Sequence, residues 1–333
     1  MTGREVRFHG PGRSFEFVQY EVPTPREGEI LVRVTCCTLC RSDLHTHSGR
    51  RLVATPMVLG HEILGVVEAV GPGVRVQPGQ RVTWGVAVGC GHCFFCQDGM
   101  PQKCEGLFKY GHVQAPLSGG LSDFVLLRPG TAVYPVPADL SDAIACPANC
   151  ATATVAALLR IAGDVRDRAV LVIGAGMLGL TACAMARSRG ASAVVVLDRE
   201  PVLIDRARLY GATAEGLPRR GADVVLELAG TAEAVRTALA SVRVGGIIIL
   251  AGTVSPTPGI DLDPESIVRR MLTIRGVHNY RGDDLLAGLE FLAGPGRDYP
   301  FADLVGQRVA LADVEDAFAK AHARPGSRIA VIP

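Results

Sequence analysis

The sequence predicts an α/β protein in which a doubly wound parallel sheet is joined to a second, mainly antiparallel β domain. Three observations predict it. From about residue 168, short apolar strands alternate with helical stretches, the pattern of a parallel sheet covered on both faces. A glycine-rich turn of G-x-G-x-x-G spacing follows the first of those strands directly. Before about residue 141 the texture differs, with short β-branched runs punctuated by Gly and Pro. At 333 residues the chain is too long for one ordinary core, which also favours two domains.

Taken in order, EVRFHG, FEFVQYEVP, EILVRVTCC, ILGVVEAVG, QRVTWGV and DFVLLRPG read as strands by alternation and β-branched content. SDAIACPANCATATVAALLRIAG is Ala-rich, opens on Ser141 as a cap, and reads as a helix leading out of the first domain. AVLVI (169–173) is a strand followed by a helix from Met177; VVVLD ends a strand at Asp198, and EPVLIDRARLYG is helical. DVVLELAG, a helix through TAEAVRTALASV, GGIIILAG and LTIRGV complete the alternation. DDLLAGLEFLAG, VEDAFAKAHA and SRIAVIP read as helix, helix and strand folding back onto the first domain. The expected boundaries are 1–151 completed by 279–333, and 152–278.

Composition bounds the function. Hydrophobic residues make up 48% and charged residues 20%, which excludes a disordered chain. A net charge of +1 argues against a nucleic-acid surface. No apolar run approaches the roughly 20 residues that cross a bilayer, and MTGREVRFHG lacks the apolar stretch of a signal peptide, so a cytoplasmic protein is expected. The 10 cysteines are clustered, which in a reducing compartment points to metal ligands before disulfides.

In VLVIGAGMLGL, Gly174 permits the tight turn, Gly176 lets a pyrophosphate approach the backbone, and Gly179 lets helix and strand pack closely. The helix N-terminus adds free N–H donors and positive dipole. Asp198 ends the next strand 19 residues after Gly179, where a carboxylate accepts from the adenosine ribose hydroxyls. That carboxylate disfavours a 2′-phosphate, so this Rossmann-type unit is expected to take NAD over NADP, with Arg199 softening the preference.

Cys90, Cys93, Cys96 and Cys104 form C-x2-C-x2-C-x7-C on a short lobe, which matches a closed, structural zinc site. A second set must be assembled from distant segments: CTLCRSDLH with Cys40, Ser42, Asp43 and His45, LGHEILG with His61 and Glu62, and CPANCATAT with Cys150. Two thiolates and one imidazole leave the open fourth position that a catalytic zinc requires.

These motifs, in this order, resemble the zinc-containing medium-chain dehydrogenase/reductase superfamily, close to the alcohol dehydrogenases, over nearly the whole length. The resemblance implies a GroES-like first domain and a catalytic zinc on Cys40, His61 and Cys150, hence about two zinc ions per chain. It also implies that Cys150, where polyol-dehydrogenase relatives carry an acid, points to the alcohol-dehydrogenase branch. Ser42 would bond the substrate oxygen, and His45 would pass its proton to solvent. Arg41 would meet the cofactor pyrophosphate, Asp43 would orient His61, Glu62 would lie beneath the zinc, and Thr154 would lean on the nicotinamide. The implied assembly is a homodimer or homotetramer, joined through an edge strand such as LTIRGV.

By alignment outward from the anchoring cysteines, Arg51 and Lys109 fall where such relatives place apolar pocket-wall residues, with Arg50, His47, His112 and His278 expected nearby. Lys109 is one of only three lysines. An anionic alcohol, bearing a phosphonate, phosphate or carboxylate, is therefore expected. MPQKCEGLFKYGH and PANCATAT also resemble a subgroup associated with phosphonate metabolism. The alternatives are a general alcohol dehydrogenase for neutral substrates, a zinc-free quinone or enone reductase, and a non-catalytic NAD-binding redox sensor. The ligand set stands against the second of these and the Ser42–His45 pair against the third.

Overall fold

β1 (Thr2–Phe8), paired with β2 (Glu16–Glu21), opens the chain, and β3 (Ile30–Thr38) then enters the main sheet of the first unit. α1 (Arg41–His47), β4 (Met57–Val58), β5 (Glu62–Val70), β6 (Arg81–Trp84) and β7 (Ala87–Val88) follow. Next come α2 (Phe94–Gln97), β8 (Phe108–Lys109), β9 (Phe124–Leu127), β10 (Val133–Pro135) and α3 (Asp142–Ala145). This computed structural model describes residues 1–213, 216–323 and 326–333.

The second unit comprises Ala151–Tyr280 and Ala293–Pro300. It contains α4 (Ala151–Ala162), β11 (Ala169–Ile173), α5 (Met177–Ser188), β12 (Ala193–Leu197), α6 (Pro201–Arg208), β13 (Ala222–Glu227), α7 (Ala232–Ser241), β14 (Val242–Leu250), α8 (Pro264–Arg269) and β15 (Thr273–Gly276). The five strands are parallel, in the order β12-β11-β13-β14-β15. Strand order reverses between β11 and β13, the switch point where doubly wound sheets bind ligands. β11 and β13 are buried throughout, which accounts for their unbroken apolar texture.

The chain then returns to the first unit through α9 (Gly282–Ala293), β16 (Val305–Ala310), α10 (Val314–Ala323) and β17 (Arg328–Ile332). The main sheet runs β10-β6-β5-β3-β17-β16, with β9 also paired to β3, so the last strand lies beside β3. Most of these pairings are antiparallel; β16 and β17 are parallel. One core packs Val32, Val34, Ile63, Val67, Trp84 and Tyr110 on the sheet. Another packs Phe8, Leu39, Leu59, Phe318, Ile329 and Val331 under α10.

Two expectations change. Residues 293–300 belong to the second unit, because Tyr210 stacks on Tyr299 and its hydroxyl donates to the Pro300 carbonyl at 2.7 Å. The helix expected from Ser141 is three pieces, α3, a 3-10 turn Cys146–Asn149, and α4, and the Ser141 side chain caps nothing. Pro147 lacks the N–H an α-helix needs, and Cys150, at φ −128° and ψ −73°, lies outside helical geometry.

Candidate active site

Three distant segments meet at one end of the large sheet. β3 and β5 run antiparallel with Thr38 opposite Glu62, so Cys40, just past β3, and His61, just before β5, are neighbours by register. Cys150 follows the 3-10 turn, where Asn149 Nδ2 donates to the carbonyls of His61 at 3.1 Å and Trp84 at 3.2 Å. Cys40 Sγ and Cys150 Sγ lie 3.9 Å apart. One donor atom from each of Cys40, His61, Glu62 and Cys150 falls within 4.8 Å of the others.

Asp43, fully buried in α1, ties two of these groups together. Its Oδ2 accepts from the Cys40 N–H at 2.9 Å, and its Oδ1 faces His61 Nδ1 at 3.2 Å. With the hydrogen of His61 on Nδ1, Nε2 keeps its lone pair, 3.4 Å from Ser42 Oγ. The hydrogen bond from Cys150 lowers the Cys40 thiol well below its ordinary range, aided by Arg328 and His61 against burial. The same bond, with burial, pushes Cys150 up.

The donor set fits zinc. Two thiolates on a tetrahedral zinc, at Zn–S near 2.3 Å, stand about 3.8 Å apart, close to the 3.9 Å between Cys40 and Cys150. Glu62 is engaged elsewhere: Arg328 donates to its two oxygens, each at 2.9 Å, and Thr38 Oγ1 donates at 2.6 Å. Arg328 Nη2 also lies 3.4 Å from Cys40 Sγ. Neither Arg328 nor Thr38 was named from the sequence. The available signal was one arginine inside the apolar run R-I-A-V-I, since a buried cation requires an acid.

The second cysteine set also fits a closed tetrahedral site. Cys90, Cys93, Cys96 and Cys104 donor atoms lie within 4.8 Å of one another, with Cys93 and Cys104 sulfurs 3.8 Å apart. Backbone N–H groups already point at sulfur: Cys90 to Cys104 at 3.1 Å and Cys93 to Cys90 at 3.3 Å. N–H groups of Glu105 and Cys96 lower the Cys93 thiol to about 6.

In the second unit, Gly174 follows β11 at φ +104°, where a side chain would also meet the Ala229 backbone. A Cβ on Gly179 would lie 1.8 Å from the Gly174 carbonyl oxygen, whereas nothing lies within 4 Å of one on Gly176. The cradle is thus closed behind and open in front, as a pyrophosphate needs. Gly176 stands at the N-cap of α5 without a side-chain cap, leaving first-turn N–H groups for an anion. Asp198 accepts from the N–H of Ala175 at 2.7 Å and of Glu200 at 3.0 Å, so its carboxylate borders the turn; Arg199 is exposed. Thr154 is half-buried on α4.

In the first unit, Arg51 and Lys109 come close to the Cys40–His61–Cys150 cluster. Arg51 donates through Nε and Nη2 to Thr46 Oγ1, at 2.9 and 2.6 Å, and through Nη2 to His112 Nδ1 at 3.1 Å. His112 packs on His61 with ring centroids 4.6 Å apart. Burial, and next Arg51, lower the Lys109 ammonium to about 8, while Cys150 opposes this. His45 is half-buried; burial, then Arg41, Arg50 and Arg51, lower its pKa. Arg41 and Arg50 are exposed. His47 is not part of this group, since it packs among Phe8, Phe15, Phe318 and His322, and His278 is an exposed residue of the second unit.

Residues 26–138 match the alcohol dehydrogenase GroES-like domain family, and residues 178–294 the zinc-binding dehydrogenase family. L-threonine 3-dehydrogenase of Anaeromyxobacter dehalogenans is 34% identical over 287 residues, covering 79% of this chain and 80% of that protein. The alcohol dehydrogenase TADH from Thermus sp. ATN1 superposes with a TM-score of 0.87 at 28% identity over 99% of both chains. A zinc-binding dehydrogenase from Sinorhizobium meliloti 1021, solved bound to NADP, has a TM-score of 0.88 at 25% identity over 100% of both.

Proposed function

Since the chain belongs to the zinc-binding alcohol dehydrogenases of the medium-chain dehydrogenase/reductase superfamily, and is an oxidoreductase acting on alcohols, we propose that it interconverts an anionic alcohol and its aldehyde or ketone, with NAD as the hydride carrier. The observation that carries the substrate class is the pair of cations, Arg51 and Lys109, beside the Cys40–His61–Cys150 cluster. A desolvated cation pair in a substrate pocket disfavours neutral occupants and favours an oxyanion that accepts from both. The relatives named L-threonine 3-dehydrogenase bear on this, because threonine carries a carboxylate close to its hydroxyl.

When bound, zinc on Cys40, His61 and Cys150 supplies Lewis acidity toward the substrate oxygen, and nicotinamide supplies the hydride acceptor. Asp43 holds His61 and the Cys40 backbone in place for that ligation. Ser42 takes the hydrogen bond of the substrate hydroxyl. His45, whose pKa burial and its arginine neighbours lower, is neutral at pH 7 and accepts the proton that leaves toward solvent. The Glu62 carboxylate holds Arg328 close to the Cys40 thiolate. Arg41 and the first turn of α5 are assigned to the pyrophosphate, and Thr154 to the nicotinamide face.

NAD is preferred over NADP because the Asp198 carboxylate borders the turn and repels a 2′-phosphate; equal kcat/KM for the two cofactors would refute this. The proposed working form is a homodimer or homotetramer, supported by the position of β15 at the edge of its sheet among the described residues and by exposed Val268 and Met271 near it. A monomer by light scattering would refute it.

The deciding assay compares 2-hydroxyethylphosphonate and a hydroxycarboxylate with neutral alcohols of similar size. An advantage of tenfold or more in kcat/KM, about 1.4 kcal/mol, is expected for an anion, and Arg51→Ala and Lys109→Ala should each erode it. Equal turnover of neutral alcohols, untouched by either substitution, would leave a general alcohol dehydrogenase.

A further inference from the structure

One side chain beside the two cations has a hydrogen-bonding role set entirely by its neighbours. His112 follows β8 and presents Nδ1 to Arg51 Nη2 at 3.1 Å. A guanidinium has hydrogens to give and no acceptor, so Arg51 donates, Nδ1 accepts, and the single hydrogen of a neutral ring sits on Nε2. A ring that accepts at Nδ1 carries one hydrogen only and is neutral.

The direction of this bond is anchored further back. Thr46 Oγ1 donates to the Ser42 carbonyl at 3.1 Å and is left to accept from Arg51. Thr46 is 1% exposed, so this arrangement is not free to rotate into water. From the backbone of α1 outward, each link has one donor and one acceptor, and among the described residues this chain of bonds ends at His112, with its hydrogen on Nε2. The ring is steadied on its face by His61 at 4.6 Å. The Arg51 guanidinium and the Lys109 ammonium carry donors and no acceptor, and His112 adds the hydrogen on Nε2.

We propose that His112 is a specificity-determining residue, whose Nε2–H acts with Arg51 and Lys109 as a third, neutral donor to the oxyanion of the substrate. This inference rests on the anionic-alcohol reading above. It adds that recognition is directional as well as charged: two cations attract any anion, but a third fixed donor favours a group with several oxygens, a carboxylate or a phosphonate, over a lone alkoxide or halide.

The test uses zinc-loaded full-length protein carrying His112→Phe, which keeps a ring against His61 and removes both nitrogens, and His112→Gln, whose amide can donate near the Nε2 position. Two quantities are read. One is the ratio of kcat/KM for 2-hydroxyethylphosphonate, or for a hydroxycarboxylate, to that for a neutral alcohol. The other is the calorimetric affinity of the enzyme–NAD complex for ethylphosphonate and for propionate. His112→Phe should lower the ratio and the affinity tenfold or more with zinc content unchanged, and His112→Gln should restore both to within about threefold. The larger loss, for ethylphosphonate or for propionate, identifies which oxyanion the site is built for. If Arg51→Ala and Lys109→Ala lower the ratio while His112→Phe does not, the role of His112 is refuted and the anionic reading stands. If none of the three changes it, both are refuted.

Discussion

Arg328 and Glu62 form a pair that is nearly out of reach of water, at 6% and 0% exposure, linked by two 2.9 Å hydrogen bonds. Removing one partner of such a pair strands a buried charge and costs roughly 3–5 kcal/mol. Arg328→Leu in zinc-loaded protein should therefore lower the unfolding free energy by that amount in urea titration; a loss below about 1 kcal/mol would show that Glu62 finds another donor or a proton. Single residues also mark how far the sequence can be read. Cys40, His61 and Cys150 were nameable because thiol and imidazole declare their chemistry by type, and short patterns surround them. Arg328 was not, because its meaning lies in a partner 266 positions away, and no local periodicity records such a pairing.

At the scale of elements, the alternation of strands and helices after residue 168 was legible because a buried parallel strand must be apolar throughout. The break at Pro147 was not, since the alanines around it favour a helix and mask the interruption that the proline imposes. That break releases Cys150 from α4 and lets it face Cys40. Packing between elements makes two further outcomes measurable. Gly179→Ala would drive a methyl into the Gly174 carbonyl, between β11 and α5. It should cost about 1–3 kcal/mol or more and weaken NADH binding in a fluorescence titration; unchanged NADH affinity would show that the turn yields. His47, at the end of α1, is stacked on Phe15 and Phe318 and lies 3.3 Å from His322. Burial and then His322 lower its pKa in the folded protein, while Glu315 opposes them. Protons thus bind the unfolded chain preferentially, and this contribution to stability is complete above about pH 6.5 and lost as pH falls below it. The wild-type Tm should fall more steeply between pH 7 and 5 than that of His47→Phe, and parallel slopes would refute the assignment.

At the scale of the whole molecule, the lobe from Cys90 to Cys104 is mostly exposed, and Cys104 is its one buried residue. Such a lobe lacks the apolar contacts to hold itself, whereas a structural zinc contributes on the order of 10–16 kcal/mol in isolated peptides. Cys104→Ser should reduce the zinc content from about two ions per chain to about one and open this segment to limited proteolysis. Two retained zinc ions and an uncut lobe would overturn the structural assignment.

The position of β17 beside β3 also bears on synthesis. All five strands of the dinucleotide-type unit have been made once Gly276 is added, whereas the catalytic sheet, begun first, still lacks β16 and β17. At about 5–20 residues per second, the 266 positions from Glu62 to Arg328 take roughly 13–53 s to translate. For that interval the nascent chain carries the Glu62 carboxylate and the Cys40 thiol without the guanidinium that pairs with them. A ribosome that stalls after Gly276 leaves every strand of one unit in hand and a sheet with an open edge in the other, so the older half of the polypeptide is the half a chaperone has to shield.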